Sequence, residues 1–370
     1  MQKRLVLIGG GHAHMVTLAN LAAITAKGIA VTVIGPSDHH YYSGMGPGML
    51  SGTYRPEEIR FATRHVVEKQ GGTFIRDKAV RIDPQGKIVV LDGGTRVPYD
   101  VLSCNAGSQV PRPAIEGSPE DIFTVKPIER LMAAKSRLAD HFARHRTQVV
   151  IVGGGPSAAE VAGNVWQLAR DTGRTMPRIT ICAGKTFMGR FSQTIRHRIL
   201  GSLRRRGIVV REGDYVRQVS PGNVVLEHGE ALPADFVFLA LGVRPSPLFA
   251  DSGIATGPDG GLRVNVFLQS TQYPDIFGGG DCIYFQKQPL DKVGVYAVRE
   301  NPILYHNLLA RLEGRDLMPF DPGGDYLLIF NLGGRTGVLK KRWLEFGGRP
   351  AFIIKDRIDR RFMRKFQAIE

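Results

Sequence analysis

Two short stretches carry the residue types needed to bring backbone amides against a pyrophosphate. They are Gly9-Gly10-Gly11-His12-Ala13-His14 and Gly153-Gly154-Gly155-Pro156-Ser157-Ala158. Each follows an apolar run, Leu5-Val6-Leu7-Ile8 and Val149-Val150-Ile151-Val152, and each leads into residues with helical spacing. Strand, tight glycine turn and helix make the opening of a dinucleotide-binding βαβ unit. Glycine lets the chain turn sharply and lets phosphate come close, while the helix start offers free N–H groups and partial positive charge. Two such turns imply two dinucleotides in one chain.

Both turns depart from the usual pattern. An acid normally ends the second strand and holds a ribose. Here Ala30-Val31-Thr32-Val33-Ile34 runs into Gly35-Pro36-Ser37-Asp38, so Ser37 or Asp38 must substitute. His14 stands at the third glycine position of the first turn, and Ala158 at that of the second. The strand Ile179-Thr180-Ile181-Cys182 ends at Ala183-Gly184-Lys185 without a carboxylate, and Arg190 follows. That combination leans toward a 2′-phosphate, and so toward NADPH.

The elements that must position these turns are legible in outline. The chain has 370 residues, enough for two or three domains. A helix is expected over 12–27, β segments over 73–103 with a hairpin around Asp92-Gly93-Gly94, and a helix over 127–145. A basic helix over 192–206 reads as a solvated face closed by Gly207. The strands before Asn105-Ala106-Gly107 and Leu241-Gly242 both end in small residues, as if passing close to something bulky. The loop 41–50, rich in glycine, suits either a flat aromatic cofactor or an ordinary connection. The fold class is therefore α/β, with two Rossmann-like domains and a small C-terminal α+β segment.

Composition excludes several functions. Cys104, Cys182 and Cys282 have no CxxC spacing, so neither a disulfide framework nor a zinc site is indicated. His12, His14, His39 and His40 fit no standard metal spacing, and no metal is expected. No apolar run approaches a membrane span, and the first strand leaves no room for a signal peptide; a cytoplasmic protein is expected. The net charge of +15 suits anionic small molecules or an anionic surface, with no nucleic-acid module in evidence.

Tyr273-Pro274-Asp275-Ile276-Phe277-Gly278-Gly279-Gly280-Asp281-Cys282 completes a set of landmarks. With the two glycine turns, Asn105-Ala106-Gly107 and Leu241-Gly242, it resembles the two-dinucleotide-domain flavoproteins of the pyridine nucleotide-disulfide oxidoreductase superfamily. Within that superfamily the chain resembles type II NADH dehydrogenases and sulfide:quinone oxidoreductases. Lys292-Val293-Gly294-Val295-Tyr296-Ala297-Val298-Arg299-Glu300 and Tyr42-Ser43-Gly44-Met45 resemble the flavoprotein domain fused to selenide, water dikinase.

The resemblance implies FAD in residues 1–110 and 236–320, and NAD(P)H in an inserted domain over 111–235. FAD would contact Gly9, Gly11, His12, Ala13, His14 and Ser37, then Val80, Asn105, Ala106 and Gly107. Gly280, Asp281 and Val293 complete its site, with Asp281 on the ribityl chain. NAD(P)H would contact Gly153, Gly155, Pro156, Ser157, Ala158 and Gly242. A helix starting near Lys292 would aim its N-terminus at the flavin's pyrimidine edge, where reduction places negative charge. Glu160 is the candidate polar contact at hydride transfer, and Lys292 a candidate charge beside the flavin.

The expected activity passes hydride from NAD(P)H to FAD and electrons onward, with a quinone as the acceptor. The cysteine pair of sulfide oxidoreductases is missing, and Val295 and Arg299 stand where type II dehydrogenases place quinone-pocket glutamines. Sulfur or selenium chemistry through Cys104 or Cys282, and a redox sensor without turnover, stay open as alternatives.

The segment 321–370 reads as a hairpin through Gly333-Gly334, a third strand at Ala351-Phe352-Ile353-Ile354, and a helix. Ile358, Phe362, Phe366 and Ile369 share one helical face, with six basic residues against two acids over 355–366. That helix either lies on an anionic membrane at the inner face of the plasma membrane or packs on its own hairpin. A homodimer is compatible with the sequence.

Overall fold

The computed structural model describes residues 2–111, 114–115, 121–172 and 175–370. The start of the inserted segment, at 112–113 and 116–120, lies outside the described residues. Strands β1 (Arg4–Ile8), β2 (Ala30–Gly35), β3 (Thr73–Arg76) and β4 (Val101–Cys104) begin a first parallel sheet. Their nearly unbroken Val, Ile and Leu runs suit strands buried on both faces. Helices α1 (Met15–Ala19) and α2 (Leu21–Thr25) follow the first glycine turn. The helix expected over 12–27 is thus broken at Asn20, whose Nδ2 donates to the carbonyl of Val16 at 2.8 Å. A three-stranded antiparallel sheet, which includes the hairpin at Asp92-Gly93-Gly94, connects β3 to β4.

The second parallel sheet contains β5 (Ile122–Thr124), β6 (Gln148–Val152), β7 (Arg178–Cys182), β8 (Val209–Arg211) and β9 (Phe236–Leu239), in the order β5-β9-β6-β7-β8. Three helices pack with it: α3 (Glu129–Phe142), α4 (Pro156–Asp171) and α5 (Gln193–Arg204). The chain then returns to the first sheet as β10 (Ile276–Gly278), giving β10-β4-β1-β2-β3. Because β9 pairs with β6, the passage back to the first domain comes after it, not at residue 236. Arg206 also departs from a solvated face. It lies beyond α5, with its guanidinium 4.7 Å from the Trp166 ring and a bond to Thr336 Oγ1 at 2.8 Å.

Helix α6 (Gly294–Glu313) leads to the C-terminal hairpin, β11 (Leu328–Asn331), β12 (Gly337–Lys341) and β13 (Leu344–Gly348). The third strand is therefore 344–348. Residues Ala351-Phe352-Ile353-Ile354 open the final helix, α7 (Arg349–Gln367), instead. A short apolar run does not distinguish strand from helix by periodicity. Pro350 in the first turn, after Gly348 at φ +96°, resolves it. The proposed apolar face also splits. Phe366 is buried and Phe362 half-buried, while Ile358 stays 46% exposed.

Helix α7 crosses from the hairpin to the first domain. Lys355 Nζ donates to Gly44 O at 2.8 Å, and Gln367 Nε2 donates to Glu57 O and Arg60 O, both at 3.0 Å. Among the described residues, no helix is long and apolar enough to cross a membrane.

Candidate functional site

The second glycine turn opens onto a cleft of about 1740 Å³. Gly153 has φ +143°, and an added Cβ there would lie 2.1 Å from Ala240 O. Gly154 meets Ala183 O at 2.5 Å, so only glycine lets these strands come so close. Gly155 and Gly242 face open space, with nothing within 4 Å of an added Cβ. Gly155 caps α4 without a side-chain bond, and the first turn holds no acid. Its N–H groups are therefore available to an anion. Pro156 and Ser157 line the cleft, whereas Ala158 is fully buried beneath it and serves packing. Lys185, Arg190 and Arg244 are exposed near this edge.

The first turn is enclosed. Gly9 has φ +86°, and an added Cβ would lie 2.3 Å from Asn105 O. Gly10 abuts Thr63, and Gly11 abuts Asn105 Nδ2 at 2.9 Å. His12 stacks on Phe362 of α7, centroids 5.2 Å apart at 18°. Burial lowers its pKa to about 3, and that of His40 to about 4. His12 Nε2, His40 Nε2, Thr63 Oγ1 and Asn105 Nδ2 are all buried without a partner. Native interiors rarely tolerate such orphans, so their concentration at one turn marks a place built for a polar group.

Two residues expected at this site turn inward instead. His14 is fully buried, with Nδ1 2.6 Å from Gly9 O and Nε2 2.8 Å from Ser103 Oγ, so it clamps the turn onto β4. Ala13 is also fully buried and packs where Gly279 approaches. Ser37 Oγ accepts the His39 N–H at 3.3 Å, while Asp38 pairs with Arg64 at 3.3 Å and Arg76 at 3.7 Å. Val80 is half-buried in the antiparallel connection. Ala106 is half-buried, and Gly107, at φ +67°, meets open space.

Asp281 receives Lys126 Nζ at 2.6 Å and Ser108 Oγ at 2.7 Å. Burial alone would raise its pKa, but the Lys126 charge and these bonds hold it below the ordinary carboxylate value. Lys126 lies between β5 and α3, so it joins the two domains across the cleft. Nothing local in the sequence flagged it. Lys292 is not a free charge: it pairs with Asp259 at 2.7 Å and donates to Ile283 O. Together with Val293 and Gly294 it forms one cleft wall at the start of α6.

Glu160 lines the same cleft from α4. Its Oε1 accepts the Asn331 N–H at 2.8 Å. Burial raises its pKa to about 7 against the pull of Lys355 and that N–H. Beside it, Lys355 pairs with Asp359 at 2.6 Å, and Tyr42 OH donates to Asp359 at 3.1 Å. Tyr42 stands in a quoted motif and Lys355 and Asp359 in the basic terminal helix, but their meeting was not legible because they come from distant segments. Leu328, Ile329, Phe330 and Phe191 give the cleft an apolar wall.

All three cysteines are buried and unpaired. Cys282 Sγ lies 3.3 Å from Cys104 O, and burial pushes its pKa to about 12; Cys104 is also raised. No group of three or more potential metal ligands is gathered among the described residues.

Two parallel sheets, each carrying a strand–glycine turn–helix unit, define a two-Rossmann α/β fold. The chain belongs to the pyridine nucleotide-disulphide oxidoreductase family, which it matches over residues 3–307. It is 24% identical to a type II NADH:quinone oxidoreductase of Staphylococcus saprophyticus, over 100% of this chain and 97% of that one. Its fold matches a sulfide:quinone oxidoreductase from Aquifex aeolicus with TM-score 0.81 at 20% identity, covering 100% and 92% of the two chains. NDH2 from Plasmodium falciparum, solved in complex with NADH, matches with TM-score 0.81 at 15% identity, covering 100% and 97%.

Proposed function

We propose that this enzyme takes a hydride from NAD(P)H onto a resident FAD and passes the electrons to a quinone. The observation that carries this reading is the cleft itself. The open second turn, the start of α6 and an apolar wall all face it. The residues of the first turn fit FAD: orphaned Asn105 Nδ2 and His12 Nε2 await a polar partner, and Gly107 leaves room. In this reading Gly9, Gly11 and Asn105 cradle the pyrophosphate, and Asp281, oriented by Lys126 and Ser108, holds the ribityl chain. Gly155, Ser157 and Gly242 hold the pyridine nucleotide, with Lys185 and Arg190 favouring NADPH.

Bound FAD supplies the two-electron chemistry. The chain's own task is to place the groups, keep water out and manage protons. Reduction of a quinone consumes protons. Glu160, whose pKa of about 7 suits transfer near neutrality, lines the cleft beside Lys355. We assign Glu160, with the Lys355–Asp359–Tyr42 unit behind it, to hold a proton there. Lys292 steadies the wall through Asp259 and is a positioning residue.

The quinone's apolar setting has an external counterpart. Trp343 (86% exposed), Leu344, Ile353, Ile354 and Ile358 project from the hairpin tip and α7. Arg342, Arg349, Arg357 and Arg361 are exposed around them. Apolar side chains ringed by cations suit an anionic bilayer surface at the inner face of a plasma membrane.

An anaerobic absorbance titration tests the central reading. Flavin bands that bleach with NADPH or NADH and return on adding a soluble quinone are expected. A protein that takes up no FAD, or whose flavin neither donor bleaches, overturns it. Pelleting with vesicles containing anionic lipid tests the surface: Trp343→Ala with Ile354→Ser should leave more protein in the supernatant.

A further inference from the structure

One further acid is buried deep in the first domain. Glu300, in the second turn of α6, is 1% exposed, and its Oε2 accepts the N–H of Gly280 at 2.5 Å. It lies between the two segments assigned to the flavin. A Cβ added at Gly279 would stand 3.2 Å from Glu300 Oε2 and 2.8 Å from Ala13 Cβ. The next residue, Asn301, accepts the Val16 N–H through Oδ1 at 2.8 Å. Helix α6 is therefore clamped to both halves of the first nucleotide site by neighbouring side chains. An amide oxygen would serve the Gly280 N–H equally well. What a carboxyl adds is the ability to change charge.

The surroundings leave that change weakly compensated. On the turn, Asp281 faces Glu300 and is already paired with Lys126. Before α6, Lys292 faces it and is already paired with Asp259. From the first turn and β4 come His12, His14 and Cys104, and from the turn after β10 comes Cys282. Burial holds both histidines neutral, at about 3 and about 4, and keeps both thiols protonated. Burial, reinforced by Asp281 and only partly offset by the Gly280 N–H and Lys292, raises Glu300 to about 8.

We propose that Glu300 is a positioning residue that couples reduction of the flavin to uptake of one proton, because it is buried against the Gly280 turn on α6, the helix whose N-terminus would face the bound flavin. This rests on the flavin reading above. Glu300 is the sixth residue after Gly294, the start of α6, about 9 Å along the axis. As an acid it fixes the Gly280 turn without opposing the negative charge of the reduced ring. As a carboxylate it opposes that charge. When two electrons enter, the carboxylate takes one proton from solvent and becomes the acid; no other bond changes. Below about pH 8 it is protonated in both redox states and nothing is taken up. Above it, reduction draws in the proton.

The test is the midpoint potential of the FAD-loaded protein, read by absorbance against indicator dyes from pH 6 to 10. In the parent protein, the line of potential against pH should steepen above about pH 8. The added steepness is tenfold in the reduction equilibrium per pH unit, about 30 mV for a two-electron couple. Glu300→Gln should lack that break and lie above the parent at high pH. A parent line without the break, or the same break in Glu300→Gln, overturns the proposal. Where Glu300→Gln holds too little flavin to titrate, Glu300→Asp replaces it: a displaced break supports the proposal and an unmoved one overturns it. A parent protein that takes up no FAD overturns the flavin reading instead.

Discussion

The two glycine turns share a motif and differ in enclosure. The first is shut: each of its glycines abuts another residue, and Phe362 lies over His12. The second faces open space at Gly155 and Gly242. The helices they precede differ as well, five residues in α1 against sixteen in α4. In the function proposed above, one motif thus serves two residence times. A group held through every turnover can be walled in by the rest of the chain. A co-substrate that leaves each cycle needs an open door and a long helix to draw it back. The wall over the first turn comes from the far C-terminus, so resident-group retention and the C-terminal segment are physically linked.

The largest effect expected is from Gly9→Ala. The left-handed conformation costs a non-glycine residue about 1–2 kcal/mol, and the Asn105 carbonyl must also move. The variant should purify without flavin and unfold at lower denaturant. Gly155→Ala, with φ −103° and an open site, should keep flavin and stability and raise only the KM for the nucleotide. Equal flavin loss from both variants would erase the contrast between the turns.

Next in size is the pH dependence conferred by Glu160. Its folded pKa of about 7 lies above the ordinary glutamate value of 4.5, so the folded state binds the proton more tightly. Its contribution is complete below pH 4.5 and falls as pH rises toward 7, by about 3 kcal/mol. Denaturant midpoints across that window should fall in the parent protein and fall less in Glu160→Gln. A parallel decline in both would assign the slope elsewhere.

Phe362→Ala opens the roof. A half-buried ring should cost less than the roughly 3–5 kcal/mol of a fully buried Phe→Ala change. The readouts are faster flavin loss on dilution and, by NMR in the flavin-free protein, a rise of the His12 pKa toward its ordinary value as water enters. Unchanged flavin release would mean that α7 is not the wall.

The smallest effect concerns donor choice. Replacing Lys185 and Arg190 with alanine removes exposed charges, each worth about 1 kcal/mol at most. The KM for NADPH should rise several-fold while that for NADH holds. Equal changes for both donors would remove these residues from 2′-phosphate recognition.

Much of the scaffold was legible in the chain order. Both glycine turns, the strands ahead of them and the C-terminal hairpin are written in local spacing, while the helix near Lys292 followed from the family resemblance. The strand–helix confusion at 351–354 arose because four apolar residues carry no period of their own. The inward turn of His14 and Ala13 was hidden because a motif fixes backbone path without saying which side chains it leaves for packing.

The sequence by itself determined where the backbone must turn sharply and where helices begin, since glycine, proline and apolar periodicity act within a few residues. Only the tertiary structure decided the chemistry around those turns. Lys126 reaches Asp281 across 155 residues, Glu160 meets Asn331 across 171, and Lys355 meets Gly44 across 311. Burial then set the charge of Glu160 and Glu300, because an acid's pKa follows from the solvent and charges around it, and those are assembled only when distant segments close together.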